Sequence, residues 1–406
     1  MNILVAHNYY QQTGGEEQVF LAECNLLESY GHQVHRYTLH NDEIETTPPL
    51  KLLEKTIWNR SVYRELRTLI QQHQIQVVHF HNTFPLISPA AYHAAKAEGA
   101  GVVQTFHNYR LLCPNALFLR DGKVCEDCLG KRIPWHAIQH NCYRESKSAS
   151  AAVVTMLTAH RLIRTWNSQV DAYIALTDFA RDKFIQGGLP AEKVFVKPNF
   201  VNPDPGIGAG KGEYALFVGR LSVEKGIDIL LKAWGQLNVK IPLKILGDGS
   251  LASVVSAESQ QSSVIEWLGR RPMEDVYTLM QNAQFLIFPS KWYEGLPRTL
   301  IESFACGTPV IAANLGAMSS FVTPYETGLH FQPGNSEDLA AQVDWAIAHP
   351  KELSSMRHKA RTEFEVRYTA ENSYQRLLEI YRLVKDNSSS PCSFEKTVSI
   401  PPSPGL

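Results

Sequence analysis

Twelve short apolar runs, six before residue 202 and six after residue 213, constrain this chain more than any other feature. NILVAH, GHQVHRY, IQVVHFH, GVVQTFH, AYIALT and VFVKP come first; YALFVG, LKILGDG, VIEWLG, FLIFP, TPVIAA and GLHFQ follow. Helix-length amphipathic segments separate them, and that alternation is the pattern of βαβ units with a parallel sheet. Helix candidates in the second series lie at 226–237, 272–282 and 297–306. A chain of 406 residues is too long for one comfortable core, so the expected fold class is α/β with two Rossmann-like domains.

Between the two series lies NPDPGIGAGKGE at 202–213, rich in Pro and Gly, which reads as an interdomain linker. The expected domains are 1–205 and 206–365. The glycine string precedes a strand instead of following one and lacks a Lys-Ser/Thr ending, so it is not a phosphate loop. Residues 351–386 have the length and spacing of one or two terminal helices, and the Ser- and Pro-rich stretch 387–406 reads as a disordered tail.

Composition excludes several classes. With 44% hydrophobic residues, 19% charged residues and a formal charge of −1, the chain lacks the basic field of a nucleic-acid binder. No uninterrupted apolar run of about 18 residues occurs, and no signal segment precedes the first strand-like run, so a cytoplasmic location is expected. Seven cysteines, an odd number, fit a reducing compartment. Between Leu112 and Thr165 eight basic residues face four acidic ones, which suits an acidic acceptor or the inner face of an anionic membrane, or else a mixed solvated surface.

The segment PSKWYEGLPRTLIESFACGTPVIA at 289–312 carries the most chemistry. A strand leads to a polar loop with Glu294 and Gly295, then to a helix near Pro297 that ends at Gly307. Free amides at a helix start beside a glycine suit a diphosphate. Glu302 falls on the second turn, where a carboxylate accepts hydrogen bonds from ribose hydroxyls or else lies on a solvated face, and Glu294 can face a sugar. Arg220 and Lys225 follow the strand YALFVG, at the strand end where ligands of α/β domains bind, and together can neutralise a leaving diphosphate without a metal ion. The alternative for them is a surface ion pair with Glu224.

FVGRLSVEKGID, LKILGDG, WLGR and the pair Glu294 and Glu302 resemble, in order and separation, the signature of the family-4 retaining glycosyltransferases with the GT-B fold. The resemblance implies two Rossmann-like domains facing across a cleft, with 366–386 crossing back to the first. It implies that Arg220 and Lys225 bind the donor diphosphate, Glu302 the ribose and Glu294 the transferred sugar, with Gly219, Gly295 and Leu296 beside them and Arg270 and Arg271 near the base. Family members usually carry Gly-Phe-Gly or a similar run after the first glutamate, where this chain has EGLPRTLIE.

In the first half, Gly14 and Gly15 stand at a strand-to-helix turn, where glycine lets backbone approach a ligand. The resemblance implies that they approach donor phosphates or acceptor. His79 and His81 alternate with Phe80 and so share one face of the sheet, in structural or binding roles. His107 resembles the family histidine that contacts the donor sugar. Cys113, Cys125, Cys128 and Cys142 cluster in an insertion at 112–146; the spacing suits a structural zinc site, with His136 and His140 as substitute ligands, while disulfides or free thiols are the alternatives. Its place suggests a wall over the acceptor pocket.

The expected function is therefore retaining transfer of a hexosyl group from a nucleoside diphosphate sugar to a saccharide or lipid-linked acceptor, in cell-surface polysaccharide or glycolipid synthesis, with no catalytic cofactor. No carboxylate of the first half stands out as a nucleophile, so the family's front-face transfer, in which the leaving diphosphate takes the acceptor proton, is the expected route. The rivals are an epimerase-like enzyme on the same paired domains and a non-catalytic sugar-binding protein; a nicotinamide-dependent oxidoreductase fails because no glycine fingerprint follows Asn2 to Ala6.

Overall fold

The computed structural model describes residues 1–11 and 14–389. All twelve apolar runs are strands. The first sheet holds β1 (Asn2–Tyr9), β2 (Gln33–His40), β3 (Val77–Asn82), β4 (Gly101–Thr105), β7 (Ala172–Ala175) and β8 (Val194–Val196) in the order β2-β1-β3-β4-β7-β8. The second holds β9 (Ala215–Val218), β10 (Leu243–Leu246), β11 (Ile265–Gly269), β12 (Phe285–Phe288), β13 (Val310–Ala313) and β14 (Gly328–Phe331) in the order β11-β10-β9-β12-β13-β14. Neighbours within both sheets run parallel, Ile3 standing opposite Val34 on one side and Val77 on the other. The antiparallel hairpin of β5 (Leu119–Arg120) and β6 (Lys123–Val124), inside the cysteine insertion, carries no apolar alternation to announce it.

Period-2 alternation sorts the first sheet's side chains onto two faces. Leu4, Ala6, Val78, Phe80 and Val102 join one buried cluster; Ile3, Val5, Val77, Val103 and Ile174 join another. The second cluster is completed from the far end of the chain. Helix Pro350–Arg367 packs on the second domain and ends at Tyr368, and helix Ala370–Ser389 crosses back to the first sheet. Its Leu377, Ile380, Tyr381 and Val384 recur at helical spacing and are buried against Ile3, Val5 and Val77. A side chain at Gly101 would place its Cβ 2.9 Å from Val384, so that glycine marks where helix and β4 touch. The expected tail 387–406 lies outside the described residues, apart from the helical backbone that continues to Ser389.

Two details differ from the sequence reading. The candidate helix at 226–237 is a 3-10 turn, Val223–Lys225, then a helix Ile227–Trp234, because Gly226 is left-handed (φ 73°) and breaks the run. The stretch read as a linker is packed against the second domain. Gly208 N donates to the Cys306 carbonyl and Gly210 N to the Gln281 carbonyl, both at 2.9 Å, and a Cβ at Gly208 would lie 2.1 Å from Gln281 O. Its glycines serve close contact with two helices. Among the described residues, no helix is long and apolar enough to cross a membrane.

Candidate functional site

Strand order reverses between β1 and β3 in one sheet and between β9 and β12 in the other. Connections leave such points in opposite directions, opening a crevice beyond the carboxyl ends of the strands. In the second domain that crevice receives the loops carrying Gly219 to Gly226 and Pro289 to Leu296. A Cβ on Gly226 would lie 2.0 Å from Pro289 O, so only glycine lets the loops close this far.

Lys225 and Glu294 meet there. Lys225 Nζ donates to Glu294 Oε1 at 2.6 Å, and the same oxygen accepts from Ser290 Oγ at 2.7 Å and Trp292 Nε1 at 2.8 Å. The ammonium also lies 5.7 Å from the Trp292 ring centre. Arg220 does not join this group. Its Nη2 donates to Glu224 Oε1 at 2.9 Å and its side chain is 54% exposed, so the alternative surface pairing holds for Arg220 and not for Lys225.

Glu302 is on the second turn of helix Arg298–Ala305, which Pro297 precedes in extended conformation. It is buried rather than on a solvated face, and Arg298 Nη2 stands 3.3 Å from Oε1. Burial raises its pKa, with Arg298 opposing. Arg270 is exposed after β11, 3.8 Å from Asp248, and touches none of the other candidates. Gly219 closes β9; a Cβ on Gly247 would lie 1.8 Å from its carbonyl oxygen, so backbone approaches backbone beyond β9 and β10.

The cleft floor is closed by three contacts between domains. A Cβ on Gly295 would lie 3.2 Å from His107 O, Tyr109 Oη donates to the Glu294 carbonyl at 3.2 Å, and Asn199 Nδ2 donates to the Leu296 carbonyl at 2.9 Å. The Leu296 side chain is core, packed with Leu176 and Leu300. Gly14 is the N-cap of helix Gly15–Ser29. Neither Gly14 nor Gly15 has a left-handed backbone, and a Cβ on either would meet nothing within 4 Å, so the fold does not itself require glycine there.

Behind His107 runs a buried polar chain. Lys197 Nζ lies 2.6 Å from Glu23 Oε1, Glu23 Oε2 lies 2.9 Å from His81 Nε2, and His81 Nδ1 lies 2.9 Å from His107 Nε2. Burial alone would raise the Glu23 pKa; Lys197 and the His81 contact hold it well below the carboxylate range. Glu23 faces His81 Nε2, and His81 Nδ1 and His107 Nε2 share one hydrogen bond whose donor depends on the tautomer. Burial and the neighbours His81 and His7 hold His107 neutral, its pKa well below the usual value. His79 is structural, bonded to Tyr381 Oη at 2.7 Å and Thr105 Oγ1 at 2.8 Å.

Among the described residues, the group of ligand-type side chains whose donor atoms all lie within 4.8 Å of one another is Glu23, His79 and His81. The Lys197 ammonium beside Glu23 and the hydrogen bonds already made by both histidines oppose a cation there. Cys113, Cys125, Cys128 and Cys142 are free thiols that line the wall of one small cavity with His136, without closing to that mutual span. His140 does not line it.

Beside His107 an open hollow lies beyond β3 and β4, lined by Thr83, Tyr92, Gln104, Asn108 and Arg110 among others. The Arg110 guanidinium lies over the rings of Phe84 (4.2 Å) and Tyr143 (5.0 Å). Glu16, on the first turn after Gly15, has its pKa pushed up to about 8 by burial, with Arg110 opposing. The sequence reading missed Glu16, Arg110, Glu23 and Lys197. A signal existed for the last two: Lys197 interrupts the apolar run VFVKP, and Glu23 sits on the apolar face of FLAECNLL.

Residues 13–205 match the family described as Glycosyltransferase Family 4, and residues 205–363 the family described as Glycosyl transferases group 1. An uncharacterized glycosyltransferase of Methanocaldococcus jannaschii is 28% identical over 190 residues, 46% of this chain and 53% of that protein. The lipopolysaccharide 1,2-N-acetylglucosaminetransferase of Salmonella typhimurium is 25% identical over 263 residues, 58% of this chain and 69% of its own. The chain thus spans about half to two thirds of the length of these relatives. Anabaena HepE, solved in complex with UDP, superposes with a TM-score of 0.69 over 94% of this chain and 100% of its own at 17% identity, a likeness of fold. With both halves of the chain matched in order and the paired six-stranded sheets in place, the protein belongs to the group 1 glycosyltransferases of GT-B fold.

Proposed function

We propose that the protein transfers a hexosyl group from a nucleoside diphosphate sugar to a saccharide or lipid-linked acceptor with retention of configuration. The observation that carries this reading is the convergence of Lys225 and Glu294 at the β9/β12 switch point, next to His107 across the cleft. A cation and a carboxylate 2.6 Å apart divide the work: the ammonium holds the diphosphate, while Glu294 Oε2 accepts hydroxyls of the sugar. Arg220 swings from its exposed pairing with Glu224 to the phosphates when donor binds. Glu302 accepts the ribose hydroxyls, and Gly219, Arg270 and the backbone at Gly295 and Leu296 complete the donor contacts. Gly14 and Gly15 approach the phosphates or acceptor from the other domain.

In the reaction the bond from the anomeric carbon to the diphosphate oxygen breaks, a bond to the acceptor oxygen forms on the same face, and the acceptor proton passes to the departing diphosphate. No metal takes part; Lys225 and Arg220 stabilise the developing charge. His107, neutral and hydrogen-bonded to His81, orients the sugar. The acceptor occupies the hollow beside His107. UDP bound to the structurally similar Anabaena protein supports a nucleotide donor, and the Salmonella relative supports a role in surface polysaccharide assembly.

A contact with the inner face of the membrane fits the first domain. Leu50, Ile133, Trp135, Leu162 and Ile163 are exposed. Arg161 Nη1 donates to the carbonyls of Lys131 (2.6 Å) and Arg132 (3.2 Å), which brings Ile133 and Leu162 to one basic surface. A thermal-shift screen of nucleoside diphosphates, then NMR of the product's anomeric proton, tests the central reading. Absence of stabilisation by every nucleotide sinks it, and an inverted product removes the retaining step.

A further inference from the structure

The insertion 112–146 is poorly furnished to hold its own shape. Leu112 and Phe118 anchor it to the first domain's core, but its own buried cluster is only Cys128 and Ala137 with Val154 of the following helix, Ile138 and Cys142 packed alongside, and its hairpin has two residues per strand. Yet its backbone is unusually constrained: of ten non-glycine residues with positive φ among the described residues, six (Ala116, Phe118, Asp121, Asn141, Arg144 and Glu145) fall here. Left-handed non-glycine backbone persists only where something else determines it. At the centre, four cysteines from three separate stretches face one cavity, with His136 and Arg120 on its wall.

The same insertion touches the β12 loop across the cleft. Glu126, inside the Cys125–Cys128 turn, pairs with Lys183 at 2.7 Å, and the Lys183 ammonium lies 5.6 Å from the centre of the Tyr293 ring. Phe118 packs edge-on to Tyr293, and Tyr109, whose carbonyl accepts from Cys113 N at 2.9 Å, donates through its hydroxyl to the Glu294 carbonyl.

We infer that Cys113, Cys125, Cys128 and Cys142 bind one zinc ion, and that this ion braces the β12 loop through Glu126, Lys183 and Tyr109. Binding draws the four sulfurs from the cavity wall to about 2.3 Å from one centre as the thiols lose their protons, and Arg120 offsets the net negative charge of a four-thiolate site. The donor role of that loop rests on the function proposed above; the metal and the brace do not.

The test uses the full chain purified under reducing conditions. Elemental analysis should find close to one zinc per chain, and Cys125→Ser with Cys128→Ser should lose it. Because those variants can fail to fold, zinc is also stripped from the wild-type chain with a strong chelator and restored. Hydrogen exchange of peptides covering 109–146 and 290–296 should rise severalfold on stripping and return with zinc. Glu126→Gln should keep the metal while exchange rises in 290–296 alone. Less than about a tenth of an equivalent of zinc after zinc-replete expression, or a mass four daltons low from two disulfides, overturns the site. Unchanged exchange at 290–296 in both stripped protein and Glu126→Gln overturns the brace. Failure to bind any nucleotide would count against the proposed function alone.

Discussion

Lys225 and Glu294, 69 residues apart in the chain, are joined at 2.6 Å where the loops after β9 and β12 converge. Removing the lysine with Lys225→Ala should lower kcat by about 10²–10³, the loss typical of one transition-state donor. Glu294→Gln keeps the shape and should raise KM for the donor more than Lys225→Ala does. Steady-state kinetics of donor turnover decides; near-normal kcat in Lys225→Ala removes the lysine from the chemistry.

Gly295 marks a contact between domains. A Cβ there would sit 3.2 Å from His107 O, tighter than ordinary packing. Gly295→Ala should separate the domains slightly and cost about 1–3 kcal/mol in overpacking. The expected result is a severalfold weaker affinity for nucleotide by calorimetry, with a folded circular dichroism spectrum. Unchanged affinity would show that the cleft tolerates the extra methyl.

Glu23 should govern the acid limit of stability. Its folded-state pKa is depressed by Lys197 and His81, so its contribution is present above the ordinary glutamate value of about 4.5 and is lost as pH falls below it. Glu23→Gln leaves Lys197 buried and unpaired, which should cost about 3–5 kcal/mol at pH 7. Urea melts at pH 7 and pH 4 check both points: the two proteins should differ less at pH 4. A constant difference across that range contradicts the assignment.

Leu377, fully buried in the helix Ala370–Ser389, reaches into the first domain's core. Leu377→Ala should cost about 2–5 kcal/mol. Hydrogen exchange should then rise first in β3 and β4, far away in sequence; a rise confined to the helix itself would show that it rests on the sheet without supporting it.

The fold was open to reading because buried parallel strands need apolar runs, and most of the twelve are short, β-branched and separated by helix-length segments; β2, at the sheet edge, is buried only at Tyr37. The hairpin of β5 and β6 escaped because two-residue strands carry no periodicity. At the candidate site, the strand-end positions of Lys225 and Glu294 were legible from loop position alone, and the structure brings them together. The pairing of Arg220 with Glu224 is local, between residues four apart on the loop that turns through Val223–Lys225. The chain from Lys197 to His107 joins four segments distant in sequence, and no spacing rule announces such a meeting. The glycines at 206–210 misled because close packing and flexibility draw on the same residue.

The return of helix Ala370–Ser389 also sets an order of assembly. The first sheet is synthesised by residue 196, yet the face holding Ile3, Val5 and Val77 stays open until that helix leaves the ribosome. At about 5–20 residues per second the wait is roughly 10–40 s. The half of the protein made first is finished last, and a messenger truncated before codon 370 would yield two domains with one of them left sticky.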